Sequence, residues 1–265
     1  MWLFKKRTES NEAPAKTAST VICIPGLWKD VDEIKNAIHT ASNAGFIVVD
    51  DMLLSIKNER HYKFKICGRD EQMKSSFKYA GNTTGIKDEA LDEIEKHNFV
   101  LYISGETGSF KEAENIALAG AAVLRAGGMG VKIDTTGKAF EKSKWLNLIK
   151  KFEEIDLYQM FVVDSIIDEE DNVWSCGMHN LGLKDTIVSG EKFQTAVDLI
   201  TIFGYYQILD KPIIAAGEIF QPDLNYPQYT ITNEPDQPYK GVELYENPFG
   251  MWRLTRKQNH KQEKI

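Results

Sequence analysis

The densest group of chemically capable side chains lies in Trp174-Ser175-Cys176-Gly177-Met178-His179-Asn180-Leu181-Gly182-Leu183-Lys184-Asp185. Cys176 precedes His179 by three, Asp185 follows, and Gly177 and Gly182 allow tight backbone. A thiolate paired with an imidazole acts as a nucleophile, and a carboxylate can orient the base. That chemistry would make Cys176, His179 and Asp185 the catalytic residues of a hydrolase or an acyl transferase. In thiol enzymes, however, cysteine and histidine usually meet from distant parts of the chain. A buried free cysteine most often serves as a small hydrophobe. The structural reading of this segment therefore outweighs the catalytic one. Metal binding would need further ligands, which Cys23 or Cys67 can supply only through folding, so neither a metal nor a cofactor is expected.

Two glycine-bearing segments invite a phosphate reading. Gly105-Glu106-Thr107-Gly108-Ser109 joins a strand to a helix N-terminus, where backbone N–H groups favour anions. A P-loop needs four residues between its glycines and then Lys-Ser/Thr. The first segment lacks the lysine and carries Glu106. In the second, six residues separate Gly130 from Gly137, and Ala139 follows Lys138 where a hydroxyl is required. Both read as turns. The acidic run Asp168-Glu169-Glu170-Asp171 lacks the alternating ligands of a calcium loop and reads as a solvated turn.

The elements that must position these residues follow from hydrophobic period. Val21-Ile22-Cys23-Ile24, ended by Pro25-Gly26, predicts a buried strand. Val31, Ile34, Ala37, Ile38 and Ala41 predict a helix stopped by Gly45, and Phe46 to Val49 a second strand. The design recurs: strand Val100–Ile103, Ser109 and Glu112 at capping-box spacing, an alanine-rich helix to Arg125, then strand Gly130–Ile133. In that helix Ala113, Ala117, Gly120, Ala121 and Leu124 share one face, which predicts close packing. The two βαβ-like units align, as a duplication or as a chance likeness of strand–helix units. Further predictions are a strand over His61–Ile66, a helix over Gly85–Lys96 and a helix over Lys138–Ile155. A hairpin turns at Asp168–Asn172, Phe193–Leu209 is helical, and Pro212-Ile213-Ile214 opens a strand. The last 45 residues combine five prolines with many aromatics, including Tyr226, Tyr239, Tyr245 and Trp252. They predict irregular structure with short strands laid over the core.

With 265 residues, 42% of them apolar, the chain can bury a full core. The fold class expected is α+β, a mixed sheet with packed helices, because strands and helices mix without strict alternation. Residues 1–19 read as a flexible leader, 20–255 as one domain and 256–265 as a basic tail. A division near 154–158 is the alternative. Three separated cysteines exclude a disulfide scaffold and a four-cysteine zinc module. No apolar run is long enough for a membrane span. Lys5, Lys6 and Arg7 follow the first apolar residues, the reverse of a secretory signal, and the location expected is cytoplasmic. Residues 8–252 hold 24 Lys and Arg against 38 Asp and Glu, a net −14. Such a body repels phosphate backbones, so no nucleic acid partner is expected.

Ala121-Ala122-Val123-Leu124-Arg125-Ala126-Gly127-Gly128-Met129-Gly130-Val131-Lys132-Ile133, together with Cys176 to Asp185 and Asn247-Pro248-Phe249-Gly250, resembles a bacterial family known only as a domain of unknown function. The resemblance covers residues 20–255. It implies a bacterial, mostly cytoplasmic setting and marks the Cys176–Asp185 segment as a hallmark of the fold. It carries no activity, cofactor or catalytic residue.

Two functions from different classes follow. The first is a non-catalytic binding module, immunity- or inhibitor-like, whose partner is another protein or a ligand. The acidic body, the absence of a complete catalytic motif and the aromatic-rich C-terminal stretch favour it. The second is the hydrolase or acyl transferase using Cys176, His179 and Asp185.

Overall fold

The computed structural model describes residues 17–242 and 245–257. The basic N-terminal residues, nearly all of the predicted leader and most of the predicted basic tail lie outside them. The fold is α+β, as its sequence pattern predicts.

Among the described residues, seven strands form a first sheet. They are β1 (Ala18–Gly26), β2 (Phe46–Val49), β3 (Met52–Ser55), β4 (Arg60–Gly68), β5 (Phe99–Thr107), β6 (Gly130–Ile133) and β7 (Lys138–Glu141). Their order is β2-β3-β4-β5-β1-β6-β7, and every neighbouring pair is antiparallel. Alternation along β1 sends Ile22 and Ile24 to one face and Cys23 to the other. The first face is covered by α1 (Val31–Ala41) and α4 (Phe110–Arg125). The second face is partly covered by α2 (Met73–Ala80) and α3 (Asp88–Glu95).

The predicted βαβ units take a different form from adjacent parallel pairs. β5 and β6 run in the same direction with α4 between them, but β1 is inserted between the two, a split unit. β1 and β2 also share a direction, with three strands separating them. Strand length explains this: β1 and β5 pair over nine residues, from Ala18↔Thr107 to Gly26↔Phe99, which takes the central place in the sheet.

A second sheet has the order β11-β12-β13-β10-β9-β8. It comprises β8 (Val163–Ile167), β9 (Val173–Cys176), β10 (Asp185–Val188), β11 (Ile219–Phe220), β12 (Tyr229–Glu234) and β13 (Met251–Arg256). It is mixed, because β10 and β13 are parallel while the other pairs are antiparallel. One face packs on α7 (Phe193–Tyr205), and the other carries Trp174, Ile187 and Met251 beneath Tyr239.

Three local expectations are corrected. The predicted helix over Lys138–Ile155 is instead β7, then α5 (Lys142–Leu148), then the start of α6 (Glu154–Phe161). Phe140 and Trp145 share an apolar cluster, which mimics one helix face, although they come from different elements (ring centroids 5.5 Å apart). Pro212-Ile213-Ile214 opens no strand: Ile213 is 97% exposed on an irregular segment. The capping box at α4 is half made, since Glu112 N–H donates to Ser109 Oγ while the Glu112 carboxylate pairs with Arg60.

Gly127, at the end of α4, has a packing explanation. Trp28 lies across Gly26 and Gly127, and its indole N–H donates to Ala126 O at the end of α4 (2.7 Å). A side chain at Gly127 would meet that indole, and the backbone there has φ +120°. The small face of α4 is buried, and Trp145 donates from its indole to Ala117 O at 3.2 Å. Among the described residues no helix is long and apolar enough to cross a membrane.

Candidate functional site

The Cys176–Asp185 segment is the connection between the paired strands β9 and β10. Gly177 (φ +123°) turns the chain out of β9, Met178–Leu181 make one 3-10 turn, and Gly182 (φ +78°) turns it back. Both conformations are ones that side chains rarely tolerate. The space is closed as well: a Cβ on Gly177 would run into Phe161 O and one on Gly182 into Gly108 O.

The turn is locked by buried polar groups. Asp185 Oδ1 accepts from Ser175 Oγ (3.0 Å) and Met178 N–H (3.2 Å), and Oδ2 accepts from Asn247 Nδ2 (2.7 Å). Asn247 also donates to Leu183 O (2.9 Å), tying residues 247–250 onto the turn. Asn180 binds the other side: its Oδ1 accepts from Thr107 Oγ1 (3.1 Å) and its backbone carbonyl accepts from Gly108 N–H (3.0 Å). The N-terminal approach of α4, a candidate anion position by sequence, is thus occupied by a carbonyl of this same protein.

The three sequence-predicted catalytic residues share this turn but make no thiol–imidazole pair. His179 Nδ1 lies 4.0 Å from Asp185 Oδ2, beyond hydrogen-bond length, and has no partner. His179 Nε2 is met instead by the Asn180 amide nitrogen at 3.3 Å. Cys176, 2% exposed, directs its thiol to Thr135 O (3.8 Å) and Tyr245 O (4.0 Å). Burial, and to a lesser degree the Asp185 charge, push that thiol well above the usual range, so the nucleophilic thiolate is suppressed. Among the described residues no three His, Cys, Asp or Glu side chains gather as a metal site.

Cys176 nevertheless lines a cleft of about 600 Å³ between the two sheets. It is lined by the edge strand β8, through Val163, Ser165, Ile166 and Ile167, and by the end of α2 and its following loop, through Lys78, Tyr79, Ala80, Asn82 and Thr83. Tyr239 and Tyr245 close a third side, their rings 5.2 Å apart, and Tyr239 packs edge-on against Trp174 at 6.1 Å. Tyr79 stands 87% exposed at the mouth. Among the described residues the lining contains no carboxylate.

Its polar groups are uncommitted. Among the described residues, the side chains of Lys78, Tyr79, Asn82, Thr83, Ser165, Tyr239 and Tyr245 have no hydrogen-bond or ion-pair partner within the chain. The hydroxyl of Thr136, a residue only 7% exposed, is likewise unpartnered.

Sequence reading placed Tyr239 and Tyr245 in an aromatic-rich covering segment and Thr136 in a turn. It gave no role to Lys78, Tyr79, Asn82, Thr83 or Ser165. These are isolated polar residues with no shared period, and only the approach of α2 to β8 brings them together. Compared with known proteins, the chain matches no family model, no curated protein and no solved structure.

Proposed function

We propose that the protein is a non-catalytic binding module and that the cleft between β8 and α2 is its binding surface. The observation that carries this reading is the set of eight unpartnered polar side chains gathered on one cleft, with three tyrosines among them. Tyrosine supplies broad amphipathic contact at small conformational cost, and Ser, Thr and Asn supply adaptable hydrogen bonding, the composition of protein-recognition surfaces. The thiol chemistry of Cys176 has less support, because its sulfur faces carbonyls and is held protonated. The family resemblance adds no role.

The test is affinity capture with the full chain from its native host, run beside Tyr79→Ser and Cys176→Ala. Tyr79 is exposed, so its loss leaves the fold intact. Capture of one stoichiometric partner that Tyr79→Ser loses and Cys176→Ala keeps is the expected result. A partner retained by Tyr79→Ser, or a bound small molecule lost only by Cys176→Ala, overturns it.

A further inference from the structure

The cleft also indicates what kind of segment it takes. This step rests on the binding-module reading and deepens it. β8 is an outer strand of its sheet, bonded to β9 on one side only. Among the described residues no other backbone segment pairs with its outer edge. Such an edge presents unpaired N–H and C=O groups, a template for another extended chain. Edges are commonly protected by lysine, proline or coverage, and β8, Val163-Asp164-Ser165-Ile166-Ile167, has neither lysine nor proline. It does carry an irregularity. Val163 pairs with Cys176 and Ile166 with Trp174, which sets Asp164 and Ser165 together opposite Ser175. This bulge turns Asp164 to the far face, where it accepts from Thr201 Oγ1 (3.0 Å) and Tyr158 O–H (3.3 Å). The other four residues of β8 all line the cleft.

Together with the end of α2 and its following loop, β8 lines the cleft of about 600 Å³. An exposed strand edge beside an open cleft is where a peptide can bind by strand addition. Charge selects among peptides. The chain body is strongly acidic, yet among the described residues the cleft lining has no carboxylate and one ammonium, Lys78, without an ion pair. A basic segment would be drawn to the rest of the surface; an acidic one finds its opposite charge here.

We propose that the cleft binds an extended acidic segment of a protein partner, which adds as a strand to the outer edge of β8 and sets a carboxylate against Lys78. Its side chains would alternate between the tyrosine-lined side of the cleft and solvent. Ser165 would find a partner on the added chain.

The experiment titrates the isotope-labelled full chain with the blocked hexapeptide acetyl-Thr-Val-Glu-Val-Glu-Thr-amide and, separately, with the same peptide carrying Lys for Glu. Binding is followed by amide shifts and by hydrogen exchange at Ser165, Ile166 and Ile167. The acidic peptide should bind about tenfold more tightly than the basic one and slow exchange along β8, and Lys78→Glu should reverse the preference. N-methylation of alternate peptide nitrogens should abolish binding, since it removes the ladder donors. Binding that survives N-methylation in both registers overturns strand addition while leaving a binding cleft in place. No saturable binding of the acidic peptide at about millimolar concentration overturns the inference as a whole. The module reading stands or falls separately, on whether Tyr79→Ser loses the native partner.

Discussion

Asp185 accepts three hydrogen bonds where water does not reach, so each donor depends on its charge and geometry. Asp185→Asn keeps the shape but turns an amide N–H₂ toward at least one existing donor. Removing a charged acceptor from a buried network costs about 2–4 kcal/mol, and a urea unfolding curve should show a loss of that size. The thiols differ for a related reason. Burial holds Cys176 well above the usual thiol range and pushes Cys23 up to about 12, whereas Cys67 is only half-buried. Iodoacetamide on the native protein should therefore label Cys67 first, with Cys23 and Cys176 reacting only on unfolding. Mass spectrometry of the alkylated peptides reads this directly. Fast labelling of Cys176 near neutral pH would restore the nucleophile reading.

At the scale of elements, the β9–β10 connection is held by backbone conformation as much as by hydrogen bonds. Gly177 sits at φ +123° against Phe161 O, and Phe161 belongs to α6, so this one glycine sets how closely the turn approaches that helix. Gly177→Ala adds left-handed strain and a steric clash with a backbone atom, expected to cost about 3 kcal/mol. Gly137 has an unusual φ as well, +68°, but nothing lies near its Cβ position. Gly137→Ala should cost only about 1 kcal/mol, from the backbone term alone. Equal losses for the two glycines in thermal unfolding would contradict the packing account.

The whole molecule responds to alkaline pH through groups of opposite sign. Burial draws Lys138 down to about 8, below its unfolded value of 10.5. A depressed amine is deprotonated first in the folded state, so its contribution to stability grows as pH rises from about 8 toward 10.5. The buried thiols act in reverse. Their folded values lie above the unfolded 9.0, so stability is complete below pH 9.0 and is lost as pH rises beyond it. Tyr62 and Tyr229, both raised mainly by burial to about 12, add to that loss above pH 10. The urea midpoint, measured with a non-thiol reductant, should hold or rise from pH 8 to 9 and then fall. A midpoint still climbing beyond pH 10 would contradict this balance.

Much of the element list was legible in the sequence, because apolar period records which face of a strand or helix is buried. The α4 helix with its small face, the hairpin at Asp168–Asn172 and α7 follow from that pattern alone. The Cys176–Asp185 turn was legible as a dense segment with glycines at both bends, and Asn247 was visible only as part of a resemblance. Strand order was not legible: periodicity says that a face is buried but not which strand lies beside it, and β1 enters between β5 and β6 through a nine-residue pairing. The cleft was hidden for the same reason. Lys78, Tyr79, Thr136, Ser165 and Tyr239 are scattered polar residues, and uncommitted polar groups leave no period. The sequence determined most of the elements and the tight turn, which depend on neighbours along the chain. Tertiary structure decided that the cysteine and histidine face different partners, and that the end of α2 and β8 line one cleft. Those outcomes depend on contacts between segments far apart in sequence, and local pattern carries no record of them.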